Sequence, residues 1–217
     1  MNTRPLLLLA VPLLTLSCKR GFGSGFEGEI SMHTTRASGP PQVMVVETKG
    51  DKLRFDTDSP AASVKAYGIY DPSVSPTKVV MVFDAQKAFM DLDFSSPGAP
   101  QANTSADSST IDKNGKKETI AGIDCQTWTA KDPSGKRSEV CIAEGIAFFD
   151  IGSLKSSGSP LSRELREKKL FPMRSVEYDA GGKEISRTEV TKVEKKKLDD
   201  ARFVVPSEFK KVTLPGL

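Results

Sequence analysis

From Phe26 onward, polar and apolar residues alternate with a period of two along most of the chain. Phe26, Gly28, Ile30 and Met32 interleave with Glu27, Glu29 and Ser31, the pattern of a strand with one face buried, since successive side chains point to opposite faces. Val43 to Thr48 and Leu53 to Asp56 bracket Lys49-Gly50-Asp51, which predicts a hairpin. Val64 to Tyr70 predicts another strand, and Lys78 to Asp84 pairs through Ala85-Gln86 with Lys87 to Asp93. In that unit Val79, Met81 and Phe83 alternate with Val80 and Val82, so the strand is apolar on both faces and belongs in the middle of a sheet or under a helix.

The region from Ser95 to Ile111 is rich in Ser, Pro, Ala, Asn and Asp and is expected to be a long surface loop. Thr119 to Ala143 then forms two apolar-threaded arms around Lys131-Asp132-Pro133-Ser134-Gly135-Lys136. Cys125 and Cys141 lie equally far from Pro133. A hairpin centred there sets them opposite one another to within a one-residue register slip or bulge, which is disulfide reach.

Ser159 as cap, Pro160 in the first turn, Leu161 and Leu165 four apart, and Glu164 four before Lys168 predict a helix that Phe171-Pro172 ends. Its narrow apolar face requires it to lie on the sheet. Met173 to Tyr178 and Glu184 to Val193 predict a last hairpin, followed by a turn at Leu198 to Arg202 and a short strand up to Pro206. The expected fold is mostly β, a single antiparallel meander of about ten strands with one or two helices.

At 217 residues, 37% hydrophobic and 27% charged, the chain can bury one sizeable core. The N-terminus sets the compartment. Asn2-Thr3-Arg4 supplies a positive start and Leu6 to Leu16 an apolar run broken by Pro12 and Thr15. This is the form of a secretory signal peptide, well short of the roughly 20 apolar residues that span a bilayer. Residues 1–17 are therefore read as the signal peptide, 18–25 as a flexible tether, and 26–217 as a single domain.

The run ends in Leu14-Thr15-Leu16-Ser17-Cys18, which resembles the lipobox of bacterial lipoproteins; the resemblance implies acylation of Cys18. Cysteine arithmetic agrees, because a Cys125–Cys141 disulfide leaves one thiol over in an oxidising compartment. The expected location is the bacterial cell envelope, lipid-anchored and facing the periplasm. Lys19 after the cysteine, in place of the Asp that retains enterobacterial lipoproteins in the inner membrane, points to the outer membrane.

Charge and inventory exclude several chemistries. Loss of Arg4 with the signal peptide takes Lys+Arg from 31 to 30 against 28 acidic residues, so no nucleic-acid partner is implied. Lys192 to Lys197 and Lys210-Lys211 are read as a solvated strand edge guarded by lysine. His33 is the only histidine and no G-x-S-x-G elbow accompanies it. One histidine and two disulfide cysteines cannot hold zinc. Asp199-Asp200 reads as a turn. No cofactor, metal site or catalytic residue is expected, and the chain is not read as an enzyme.

What remains is binding. Met44, Met81, Met90 and Met173 on predicted strands suit an adaptable apolar surface, with ordinary core packing as the alternative. Phe148, Phe149 and Trp128 are the candidate ligand-binding residues, although Trp128 lies on the opposite face of its strand from Cys125.

Three regions carry a family resemblance. Thr188-Glu189-Val190-Thr191-Lys192-Val193, followed by Leu198-Asp199-Asp200-Ala201-Arg202-Phe203-Val204-Val205-Pro206-Ser207-Glu208-Phe209-Lys210, resembles the close of a group of uncharacterised bacterial exported proteins, often lipoproteins. Ile120-Ala121-Gly122-Ile123-Asp124-Cys125-Gln126-Thr127-Trp128 is similar to that family's middle, and Gly28-Glu29-Ile30 with Gly50 to Arg54 to its opening. The group resembles the lipoprotein-sorting carriers of the LolA and LolB type. This implies an open, curved antiparallel half-barrel with helices on its concave side, enclosing an apolar cavity for acyl chains. The implied function is non-catalytic binding of an apolar ligand or of another lipoprotein's acyl chains; a structural or protein-interaction module of the envelope is the alternative.

Overall fold

The computed structural model describes residues 25–58, 65–75, 78–93, 110–113, 115–145 and 160–213. The expectations for residues 1–24, including Cys18, for most of the Ser95 to Ile111 loop, for Phe148 and Phe149 and for the Ser159 cap concern residues outside these. Thirteen strands form among the described residues: β1 Glu27–Arg36, β2 Gln42–Lys49, β3 Lys52–Asp58, β4 Tyr67–Tyr70, β5 Lys78–Phe83, β6 Ala88–Asp93, β7 Thr110–Asp112, β8 Lys117–Ile120, β9 Ile123–Lys131, β10 Arg137–Glu144, β11 Leu170–Tyr178, β12 Glu184–Lys195 and β13 Lys210–Lys211. The one α-helix among them, α1, spans Pro160–Glu167.

All the strands join one open sheet in the order β13-β6-β5-β4-β3-β2-β1-β12-β11-β10-β9-β7, with β8 also on β9. Two local meanders, β1 to β6 and β9 to β12, are sewn together by the pairing of β1 with β12. The expected mostly-β open sheet is present, with β5 inside it between β4 and β6. The count exceeds the predicted ten because three short strands escape a pattern reading. Thr110–Asp112 falls in the predicted loop yet pairs with β9. The arm read as one strand from Thr119 breaks at Ala121-Gly122, both at positive φ (47° and 81°), into β8 and β9. β13 pairs in parallel with β6.

The hairpin register also differs from expectation. Asp132 N–H donates to the Lys136 carbonyl and Gly135 N–H to that of Asp132 (3.0 and 3.1 Å), so the turn centres on Ser134 rather than Pro133. Cys141 is then paired with Thr127, and its disulfide to Cys125 runs diagonally, with a Cα–Cα separation of 5.4 Å. Asp179-Ala180-Gly181-Gly182-Lys183 repeats the same turn between β11 and β12, with matching bonds and Gly182 at φ 82° where Gly135 has 86°.

Alternate residues of β1 to β3 divide between two faces. Ile30, Met32, Met44, Val46, Leu53 and Phe55 join Phe26, Ile120, Cys125, Cys141, Ala143, Phe171, Met173 and Val190 in one cluster. Ile30 and Met173 are 0% exposed. Neither α1 nor the segment after β12 contributes to this cluster, so among the described residues the sheet covers its own face by curling over it. We call this the inner face. Consistently, Lys169 at the start of β11 reaches Asp51 in the β2–β3 turn (3.4 Å) across the ends of β1 and β12.

The outer face has two covers. α1 sets Leu161 and Leu165 on Ala130, Val140, Ile142 and Leu170, with Ile111 and Trp128 at the margin. The helix therefore lies on the sheet as its pattern required, but on the face away from the disulfide cluster. It ends at Glu167, Lys169 (φ 50°) turns the chain into β11, and Phe171-Pro172, the predicted stop, is already inside that strand. Proline is tolerated there because β11 pairs with β12 only from Arg174 onward.

The second cover is an extended strap, residues 196–209. Seven strand spacings of about 4.8 Å separate β12 from β13, about 34 Å in all. Fourteen residues span at most about 50 Å, so the strap crosses the outer face of β1 to β6 with little slack.

Candidate functional site

Two arrangements on this scaffold are the candidate sites: an apolar row on the inner face, and the strap with the edge it protects. The row follows from register. Val193, Ile30, Val46, Phe55, Gly68, Met81 and Met90 are successive cross-strand partners from β12 through β6. Gly68 makes the row continuous. A Cβ there would stand 2.0 Å from Phe55 Cζ, so the ring lies over the bare backbone of β4. Met32 opposes Met44, and Met81 opposes Met90. Met32, Met90 and Met173 are buried, whereas Met44, Phe55 and Met81 are half-buried and form the accessible part.

The strap is held by charge and apolar contacts. Glu47 alternates with Val46, faces outward, and is nonetheless only 2% exposed because the strap lies over it. Arg202 Nε donates to Glu47 Oε2 at 2.6 Å, and Arg54 Nε stands 3.9 Å from the same oxygen. That bond raises the Arg202 guanidinium above its ordinary value. Arg54 in turn stacks 3.5 Å over the Tyr67 ring, whose phenol burial pushes upward. Lys196 bonds Glu29 (2.7 Å), Lys49 bonds the Leu198 carbonyl (2.9 Å), and the Leu198 amide donates to Glu27 (2.6 Å).

Asp199 caps a 3-10 turn, Asp200–Phe203, by accepting from the Ala201 amide. This is the expected turn, but no strand follows directly. Leu198 and Phe203 are buried, and Val205 and Phe209 pack on Tyr67, Ile69, Val80, Val82 and Phe89. Phe209 N–H bonds the Pro206 carbonyl, which turns the chain alongside β6.

The other sequence candidates lie elsewhere. Cys125 and Cys141 staple the inner face. Trp128 is half-buried at the margin of the α1 cluster, with Lys113 Nζ 4.8 Å from its ring centroid, and does not join the methionine row. His33 is half-buried between Val43 and Glu189. Lys192 and Lys195 sit on β12, an interior strand, so the edge-guard reading fails there; Lys210 and Lys211 are on the edge strand β13. Among the described residues no cluster of three or more His, Cys, Asp or Glu side chains could hold a metal ion. No helix among them is long and apolar enough to cross a membrane.

A family model described as a domain of unknown function, DUF4412, matches residues 26–209, from Phe26 at the foot of β1 to Phe209 at the end of the strap. The chain belongs to the DUF4412 family. In this DUF4412 domain the family-like close, Leu198 to Lys210, runs through the strap and into the first residue of β13.

No curated protein matches the chain. Among solved structures, an uncharacterized conserved protein from Thermus thermophilus is similar with TM-score 0.52 and 10% identity, covering 87% of this chain and 90% of that one. That likeness extends to the fold. MucB in the Pseudomonas aeruginosa MucA/MucB complex aligns with TM-score 0.45 at 10% identity over 87% of this chain and 58% of that one. A LolA superfamily protein from Nitrosomonas europaea aligns with TM-score 0.36 at 13% identity over 86% and 92%.

Proposed function

We propose that this DUF4412 domain is a non-catalytic, lipid-anchored protein of the bacterial envelope, facing the periplasm and held at the outer membrane through Cys18. Its inner face binds an apolar ligand or the acyl chains of another lipoprotein. The observation that carries this reading is the half-buried trio Met44, Phe55 and Met81: Phe55 and Met81 belong to the continuous apolar row across β2 to β5, and Met44 lies on the same face two residues along β2 from the row's Val46. Unbranched thioether side chains fit irregular apolar partners without a fixed shape. The signal-like N-terminus and the disulfide support an oxidising envelope compartment.

Native mass spectrometry of the protein from its own host, with titration of a fluorescent fatty acid, tests the reading. The expected result is a bound lipid mass and saturable binding that Met81→Glu weakens at least tenfold while the fold persists. Protein that is ligand-free and indifferent to fatty acids would remove the reading. A second reading, an envelope protein-interaction module, is favoured by a different observation: the floor residues Ile30 and Met173 are already fully buried, while one edge of the sheet is closed by two residues alone.

A further inference from the structure

The edge at β6 is closed by β13, a two-residue strand that is parallel in an otherwise antiparallel sheet. Its backbone attachments are Lys210 N–H to the Lys87 carbonyl (2.9 Å) and Val212 N–H to that of Phe89 (2.8 Å). Lys210, Lys211 and Val212 are all exposed. Two side chains add to this ladder. Phe209 sets its ring on the outer-face cluster of β4 to β6, and Lys211 Nζ meets Asp91 Oδ2 at 2.8 Å. Asp84, Asp91 and Asp93 lie on or beside β6, with Lys87 before the strand and Lys78 of β5 ion-paired to Asp93 at 3.7 Å, so Asp91 is the carboxylate that Lys211 meets on this edge.

An aromatic anchor, main-chain pairing to an open edge and a cation on a carboxylate are together the means by which a sheet takes up an extended peptide. Here the chain does this to itself. The pairing is short and solvent-facing, so its opening costs little compared with opening the central strands.

We propose that the outer edge of β6 is a strand-acceptor site for a protein partner, taking an extended segment in which an aromatic residue is followed by lysines, and that residues 209–213 of the chain occupy it in the free protein. The site does not depend on whether the inner face takes a ligand, because it uses the opposite face and an edge.

The test uses the full chain carrying Phe209→Ser and Lys210→Pro, which removes the anchor and one ladder donor, and a labelled peptide of residues 205–213 followed by fluorescence anisotropy. The variant is expected to bind the peptide at least tenfold more tightly than the wild-type chain, whose own segment competes. Replacing both peptide lysines by glutamate, or Asp91→Lys in the protein, should reverse that gain. A folded variant that ignores the peptide, or one that takes the glutamate peptide equally well, overturns the proposal. Hydrogen exchange on the wild-type protein gives an independent check if the variant misfolds. The amides of Lys210 and Val212 should exchange at least a thousandfold faster than that of Ile30, and equal protection would overturn the proposal.

Discussion

Arg202 in the strap and Glu47 in β2, 155 residues apart in sequence, share a 2.6 Å bond that leaves the carboxylate 2% exposed. Truncating the arginine strands a buried charge, with Arg54 at 3.9 Å as partial compensation. Arg202→Met should lower stability by about 1–3 kcal/mol. Adding Glu47→Gln should restore part of it, since the unpaired charge is then gone. Urea unfolding of the four proteins in the cycle measures both effects, and a fully additive cycle would show that the pair is not coupled.

Gly68 is fixed by the ring above it. Gly68→Ala should destabilise by about 1–3 kcal/mol, the range for overpacking, because its Cβ would meet Phe55 Cζ at 2.0 Å. Phe55→Leu in the same chain should recover part of the loss. Thermal melts of single and double variants decide the matter.

The disulfide closes a loop of about 15 residues, for which chain entropy predicts roughly 3 kcal/mol. Cys125→Ser with Cys141→Ser should lower the denaturation midpoint by that order. It should leave fatty-acid affinity unchanged, because neither cysteine belongs to the half-buried trio. Loss of both together would mean that the staple shapes the face.

Acid should weaken the fold through Glu118. The Arg174 guanidinium bonded to it at 2.6 Å, and Thr127 beside it, hold its carboxyl below the ordinary value of 4.5. A carboxyl lowered in the folded state stabilises the protein above its unfolded value. That contribution is lost as pH falls from about 4.5 through the lowered folded value. Glu118→Gln should therefore be less stable than wild type at pH 7, and the gap should narrow as pH falls below the ordinary carboxyl value of 4.5. A gap independent of pH would assign the loss to packing.

The local parts of this fold are legible in the chain. Alternation places β1 to β6 and the last hairpin, Pro160 and the leucine spacing place α1, and two cysteines about a turn foretell the staple. Features that depend on distant segments are not legible. Glu47 reads as an outward, solvated residue in Val-Val-Glu-Thr, and nothing near it announces that residues 198–203 will cover it. The methionine row needs the register of seven strands before Met81 and Met44 can be seen on one surface. β13 has no local signal either, for Lys210-Lys211 becomes a strand only because β6 is there to pair with it. Trp128 attracted attention as an aromatic, yet its position three residues from Cys125 already set it on the other side.

The seam between β1 and β12 has a temporal consequence. Gly28 pairs with Lys195 and Arg36 with Ser186, so the strand made first finds its second neighbour only after most of the chain has been synthesised. Each meander can assemble from near-neighbour contacts, but their joining must wait for loop closure over some 150 residues, which makes it the slow step. Until then β1 presents a bare edge. The strap, which follows β12, makes its contacts with Glu27, Glu29, Glu47 and Lys49 of the first meander, so its docking and the seam draw the two halves together. The topology thus predicts an order of folding: two halves, one seam, and a crossing that locks the outer face.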